Sequence, residues 1–395
     1  MKGKDGMEQL ADGIFGIGVN DHDIDLFEGQ YVVPRGMAYN SYFIDDDKTL
    51  VFDTVDGRFG DEWLANLSKA SGGKKIDYLV VQHMEPDHSA LIARFAKEHP
   101  GATIVASAQA FAMMKNFFGD DYAARRLVVK DGDTLSTGKH SFAFVAAPMV
   151  HWPEVMVTFD AATGTLFSAD AFGKFGANDV EDPEGWDCEA RRYYFGIVGK
   201  YGRQAAALLA KAATLDIKRI CPLHGPVLST PEEIAHVVKQ YSTWSSYGVE
   251  SEGVCIAYTS VYGHTKAAAL KLKEMLLERG CPKVAIADLA RDDQPETVED
   301  AFRYGRLVLA TTTYNGDIFP WMRHFIWHLV ERNYQSRKIG FVENGSWAPA
   351  AARVMRSMLE KCANIEFCEN AVTIKGALDQ ESEARLAALA DEMAK

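Results

Sequence analysis

From Val254 to the C-terminus the chain repeats one pattern, a short apolar run followed by a longer helical stretch, and this regularity narrows the possible folds most. The runs at 254–259, 284–287, 307–311, 339–342 and 371–374 read as strands, and stretches such as 266–279 and 347–362 read as helices. Five strands separated by helices in about 145 residues are the pattern of a doubly wound parallel sheet.

Before residue 250 the texture differs. Short β-like runs at 49–53, 76–82, 142–147, 154–159 and 165–169 are joined by loops rich in Asp, Gly and His, with helices expected at 89–98, 108–118, 189–213 and 231–247. This reads as an α+β or four-layer domain. The change falls at Tyr247-Gly248-Val249-Glu250-Ser251-Glu252-Gly253, so two domains are expected, 1–250 and 251–395. A length of 395 residues, too long for one ordinary core, agrees.

Several function classes drop out on composition. A formal charge of −13 argues against nucleic acid as a partner, because phosphate binding needs a basic surface. No apolar run approaches the roughly 20 residues of a membrane helix, and Met1 to Leu10 is polar, so a cytoplasmic protein is expected. The six cysteines include no C-x-x-C pair, which leaves no structural zinc or rubredoxin-type iron motif and points to free, reduced, mostly buried thiols.

The densest chemistry is His83-Met84-Glu85-Pro86-Asp87-His88, directly after the apolar run 76–82 and before a helix expected to start near Ser89. Such a hexapeptide has a plain reading, a polar loop in which Asp87 or Ser89 caps the next helix. Three further candidates follow apolar runs, however: His151, Asp170 and His224. Side chains at strand ends converge on one edge of a sheet. Together these residues offer enough nitrogen and oxygen donors for two metal ions sharing one carboxylate.

In the second domain, Thr259-Ser260-Val261-Tyr262-Gly263-His264-Thr265 lies between a strand and a long helix. Hydroxyls and backbone N–H groups at a helix N-terminus form an anion site, and the first βα turn of a doubly wound sheet is where mononucleotides bind. Two more loops follow strands of that sheet, Thr311-Thr312-Thr313-Tyr314-Asn315-Gly316 and Glu343-Asn344-Gly345-Ser346-Trp347. Tyr314 and Trp347 supply flat π surfaces, and the glycines let backbone groups approach a ring edge.

These motifs carry a resemblance. The H-x-[HE]-x-D-H loop, followed by His151, Asp170 and His224, is similar to the ligand order of the metallo-β-lactamase fold, and the second domain resembles flavodoxin. Hydrolases of the first fold generally carry His where this chain has Glu85. That substitution resembles the flavodiiron proteins, also called rubredoxin:oxygen oxidoreductases, and the likeness spans both domains in the family's order. Three anionic donors, Glu85, Asp87 and Asp170, also suit iron better than zinc.

The resemblance implies a metallo-β-lactamase-like αββα sandwich followed by a flavodoxin-like doubly wound parallel sheet. It implies two irons, oxo- or hydroxo-bridged: one held by His83, Glu85 and His151, the other by Asp87, His88 and His224, with Asp170 bridging. Tyr193 and Tyr194 match a segment that sends a tyrosine toward the irons, although aromatic core is an equal reading for one of them. FMN would use the first loop (Thr259, Ser260, Tyr262, Gly263, His264, Thr265) for its phosphate. Thr312, Thr313, Tyr314, Asn315, Gly316, Asn344, Gly345, Ser346 and Trp347 would embrace its ring. Two departures stand out: Phe27-Glu28-Gly29-Gln30-Tyr31 where the family often reads F-H-G-Y, and His264 where flavodoxins more often have Asn or Ser.

The implied activity is reduction of dioxygen to water, of nitric oxide to nitrous oxide, or of both, with electrons from rubredoxin or a similar small carrier passing through FMN. No appended rubredoxin domain is expected, for want of any C-x-x-C pair. A head-to-tail homodimer, or a dimer of such dimers, would pair each flavin with its partner's irons. The rivals are a dizinc hydrolase fused to a flavodoxin-like domain, and an electron carrier with an inert lactamase-fold platform.

Overall fold

A computed structural model describes residues 8–394; the polar start Met1–Met7 lies outside them. The chain forms two compact units, Met1–Tyr194 with Arg203–Ser242, and Phe195–Gly202 with Thr243–Lys395. It therefore enters the second unit once for eight residues before passing into it for good.

The first unit is built on two sheets. One runs in the order Gln9–Ala11, Ile14–Gly16, Tyr42–Ile44, Leu50–Phe52, Tyr78–Val80, Thr103–Ala106 and Arg126–Val128, antiparallel at its start and parallel from Leu50–Phe52 onward. The other runs Thr134–Ser136, Ser141–Ala146, Met156–Asp160, Thr165–Phe167 and Arg219–Cys221, with its last pair parallel. Their facing side chains make the core: Leu50, Phe52, Val80 and Val105 meet Phe142, Phe144, Met156 and Phe167. Phe52 stacks on Phe167 with 4.0 Å between ring centroids. Each such buried ring contributes roughly 1.5–3 kcal/mol of transfer free energy, which fixes the register of both sheets.

Helices complete the layers. Gly60–Ser71 buries Trp63 and Leu67, and Trp63 donates from Nε1 to Ser41 Oγ at 2.9 Å. Ala108–Phe118 begins where Ser107 Oγ accepts from Ala110 N and ends at Gly119, whose φ of 75° only glycine adopts without strain.

The second unit has a parallel sheet in the order Val284–Asp288, Ser251–Tyr258, Tyr304–Tyr314, Lys338–Asn344, then Glu366–Phe367 and Val372–Ile374, both paired to Lys338–Asn344. Its strand order is the flavodoxin-like 2-1-3-4-5. Val254, Ile256, Val308 and Val342 of the sheet pack against Leu272, Leu276, Leu386 and Leu389 of the helices. Among the described residues no helix is long and apolar enough to cross a membrane. All six cysteines are free, four of them buried.

Three helical stretches depart from the sequence reading. The expected helix 189–213 is instead an α-helix at Asp187–Tyr193, a wide π-turn at Tyr194–Val198, a tight turn at Gly199–Tyr201 and a second α-helix at Gly202–Ala212. Gly196, Gly199 and Gly202 lower helix propensity through this span. The expected 347–362 contracts to Ala351–Leu359, because Pro349 cannot donate within a helix interior. The helix expected at Ser89 starts earlier, as a single turn Pro86–Ser89 with proline at its first position, and resumes as Ile92–Glu98.

Candidate metal centre and flavin cleft

Four loops at strand ends of the first unit carry the donors. His83 and Glu85 follow Tyr78–Val80, Asp170 follows Thr165–Phe167, His224 follows Arg219–Cys221, and His151 lies in the loop before Met156–Asp160. Asp87 and His88 stand on the helical turn that Pro86 starts. Non-glycine residues in the left-handed region cluster here, at Asp53, Met149, Ala169 and Phe172 (φ between 50° and 66°). Such strain is held where surrounding packing over-determines the backbone, as at functional sites.

The seven predicted donors fall into two groups. His83, Glu85, His151 and Asp170 lie with their ligand atoms within 4.8 Å of one another, and so do Asp87, His88 and His224. In the first group, Asp170 Oδ2 is 3.1 Å from His83 Nε2 and 3.3 Å from His151 Nε2, and Glu85 Oε2 is 3.2 and 2.9 Å from the same nitrogens. In the second, His88 and His224 bring their Nε2 atoms within 3.0 Å, with Asp87 Oδ2 3.3 and 3.2 Å away. Asp170 faces both groups: its other oxygen, Oδ1, is 3.5 Å from His88 Nε2 and 3.8 Å from His224 Nε2.

Hydrogen bonding fixes which atoms point inward. His83 Nδ1 donates to Glu154 Oε1 at 2.9 Å, and His224 Nδ1 donates to Ala38 O at 2.7 Å, which turns a bare Nε2 lone pair toward the carboxylates. Lone pairs facing lone pairs repel unless a cation lies between them. No hydrogen bond reaches either oxygen of Asp87 or of Asp170, although both residues are buried. The donor set therefore fits two metal ions that share Asp170, and its carboxylates suit iron.

Without metal, protons take that place. Burial opposes charge on His83, yet Asp170 and the hydrogen bonds around it carry its pKa well above the usual value. His151, likewise opposed by burial, is pushed up to about 9 by Asp170 and Glu85. Burial disfavours the charged carboxylates, but the imidazoles hold Asp170 and Glu85 well below the usual range.

An aromatic wall encloses the second group. The rings of Phe27, Tyr39 and Tyr193 lie 5.4, 5.8 and 5.6 Å from that of His224. Tyr193 is buried, and burial, with Asp170 next, pushes its hydroxyl pKa well above the usual value. Tyr194 instead packs its ring 5.0 Å from Tyr241. Thus the pair divides, one tyrosine toward the donors and one into core. The capping role considered for Asp87 and Ser89 does not occur: Ser89 Oγ donates back to Met84 O. Glu154 and Ala38 were not apparent from the sequence, since no local spacing marks a partner behind a ligand.

In the second unit a cleft of about 450 Å³ opens at the strand ends. Thirteen of the fifteen predicted cofactor residues line it, from Ser260 through Trp347. Thr259 and Gly263 do not. Thr259 is fully buried with its Oγ1 2.5 Å from Thr311 Oγ1, and Gly263 shapes the loop, its φ of 91° starting the helix His264–Glu278. Val261, Ala348 and Gly376 line the cleft as well. Gly376 comes from a fourth loop, which Asn344 clasps through Nδ2 to Gly376 O (2.8 Å) and Gly376 N to Oδ1 (3.1 Å). A glycine two positions after the run 371–374 was the available signal. Volume, helix N-terminus and aromatic faces fit a flavin mononucleotide.

Comparison with known proteins sets the whole chain beside one family. A family model described as ODP family beta lactamase matches residues 37–225. A nitric oxide reductase of Moorella thermoacetica is 30% identical over 368 residues, covering 91% of this chain and 90% of its own. The rubredoxin-oxygen oxidoreductase of Megalodesulfovibrio gigas is 28% identical, covering 89% and 88%. Among solved structures, the flavodiiron protein from Giardia intestinalis matches with a TM-score of 0.91 at 26% identity, covering 98% of this chain and 96% of its own. With full-length likeness in sequence and in fold, the chain belongs to the flavodiiron proteins.

Proposed function

We propose that this chain reduces dioxygen to water, nitric oxide to nitrous oxide, or both, at a di-iron site supplied with electrons through FMN. The observation that carries the reading is Asp170, whose two oxygens face two separate groups of donors. Bound iron supplies two adjacent one-electron centres, and FMN a further pair of electrons, which together match the four that dioxygen needs. Two nitric oxide molecules need only two.

The protein's own residues do the rest. Glu154 and Ala38 hold His83 and His224 with Nε2 inward, so that the donors are preorganised rather than assembled on demand. Phe27, Tyr39 and Tyr193 exclude bulk water from the second group, and the Tyr193 hydroxyl keeps its proton at any physiological pH. At the flavin cleft, Tyr314 and Trp347 offer faces to the ring, while Ser260 and Thr265 stand at the phosphate end. Trp347 and Tyr262, 92% and 89% exposed in the single chain, support a head-to-tail dimer in which a second copy covers them. Six free cysteines support a reducing, cytoplasmic setting, and the donor would be rubredoxin or a carrier like it. A dizinc hydrolase is disfavoured by Glu85 and by the flavin cleft.

Elemental analysis and flavin extraction test the reading, followed by stopped-flow mixing of the anaerobically reduced protein with each gas. About two irons and one FMN per chain, both reoxidised within turnover, are expected. Zinc in place of iron after expression in iron-replete cells would sink the assignment.

A further inference from the structure

Behind the first group of donors stands Glu154, 3% exposed. Its Oε1 accepts from the His83 ring at 2.9 Å and from the Met84 backbone N–H at 2.8 Å, so one atom fixes both the tautomer and the loop of the first ligand. Its other oxygen, Oε2, has no hydrogen bond. Glu154 also borders a cavity of about 110 Å³ that includes Ser107, Gln109 and Lys130.

Nothing equivalent stands behind the second group. His224 donates its Nδ1 to a neutral carbonyl, Ala38 O, and His88 Nδ1 has no hydrogen-bond partner. Asp53, the other buried carboxyl nearby, is engaged with the backbone N–H of Gln82 and that residue's side chain. With Asp170 shared, each position has one carboxylate of its own, Glu85 or Asp87; behind them Glu154 is hydrogen-bonded to His83, whereas Asp53 acts on His88 through space without a hydrogen bond. A carboxylate hydrogen-bonded to a ligand imidazole strengthens that ring as a donor, and a stronger donor favours the more highly charged ion.

We propose that Glu154 is a positioning residue which, acting through His83, makes the two metal positions unequal. When the centre has given up one electron, the position at His83 holds the more oxidised ion and the position at His224 the more reduced one. The electron passes to the oxidant, dioxygen or nitric oxide in turnover and a redox mediator in the test. The inference rests on the di-iron reading above.

To test it, the iron- and FMN-loaded protein is poised stepwise with mediators. The one-electron-oxidised centre is counted by electron paramagnetic resonance, apart from the flavin radical. Glu154→Gln keeps an oxygen for His83 Nδ1–H and Met84 N–H but removes the charge. It should lower the comproportionation constant of the irons by ~10-fold or more, while Glu154→Asp, which keeps the charge, stays within ~3-fold of the parent. The sign is diagnostic, because a rise in Glu154→Gln would put the more oxidised ion at the other position and overturn the proposal. An unchanged constant with full iron content, or equal losses in Gln and Asp variants, would overturn it too. If Glu154→Gln sheds iron while Glu154→Asp retains it, the result again supports the charge. A parent protein that never holds two irons would refute the di-iron reading itself, not this step from it.

Discussion

Raising the pH from 7 to 9 should tighten binding of the first metal ion to the metal-free protein by about 50-fold or more. The magnitude follows from His151, whose pKa is pushed up to about 9 by the facing carboxylates of Asp170 and Glu85, which outweigh burial. At pH 7 this ring is held protonated by about two pH units, and a metal must displace that proton to reach Nε2. The sign is consistent with linkage. A histidine whose folded pKa exceeds its ordinary 6.5 stabilises the metal-free fold fully below that value, and the contribution disappears as pH rises through about 9. Metal competes with those protons, so its affinity runs the other way. His83, raised for the same reason, adds a second proton. Anaerobic calorimetry with Fe(II), a competing chelator and two buffers of different ionisation enthalpy would read both quantities. About two protons released per first metal at pH 7 is the expected result. Release of less than about one, or an affinity flat between pH 7 and 9, would refute the claim that protons occupy the metal's place.

Glu85→His restores the donor type of the hydrolases and removes one of three anionic ligands, so iron retention should fall relative to zinc, read by elemental analysis; unchanged iron and turnover would exclude Glu85 as a ligand. Tyr193→Phe should reduce turnover by ~10²-fold if its hydroxyl proton serves the reaction, with iron content unchanged. Tyr194→Phe, whose ring packs on Tyr241, should stay within about two-fold, and a reversed order would exchange their roles. Partial burial and the neighbouring Glu85 carboxylate together raise the pKa of Glu28 from 4.5 to about 7. Its folded pKa lies above the unfolded value, so ionising it costs stability that grows from pH 4.5 to about 7. Glu28→Gln should therefore raise the melting temperature of the metal-free protein at pH 8 and leave it nearly unchanged at pH 4, and equal shifts at both would contradict the carboxylate contact.

The parallel sheet of the second unit was readable because its strands are apolar runs at regular intervals, and the cleft because its loops follow those runs. The seven candidate donors, which the structure gathers into two groups, were noticeable for a similar reason: they stand at or soon after the ends of apolar runs. What was hidden is of two kinds. Backbone detail within helical texture was one: 189–213 has helical composition, yet three glycines divide it and place Phe195–Gly202 in the other unit. Direction was the other. Adjacent tyrosines at 193 and 194 are equivalent in sequence, and only the turn of the helix Asp187–Tyr193 sends one toward His224 and the other toward Tyr241.

The partners behind the ligands were hidden for a deeper reason. Glu154 lies 71 positions from His83, and Ala38 lies 186 from His224, so no spacing rule links them. Yet each answers hydrogen-bond accounting, since a buried imidazole that offers one nitrogen to a metal is oriented by the partner of the other. A carboxylate and a backbone carbonyl satisfy that requirement equally well as geometry and quite differently as electrostatics. The ligand set alone gives the two positions one private carboxylate each, Glu85 and Asp87, and so describes a nearly symmetric centre. The inequality we propose enters through the layer behind it, in the choice of Glu154 for one histidine and Ala38 O for the other. Any account of how electrons divide between the two positions has to begin from that outer layer, where the chain has placed its extra charge.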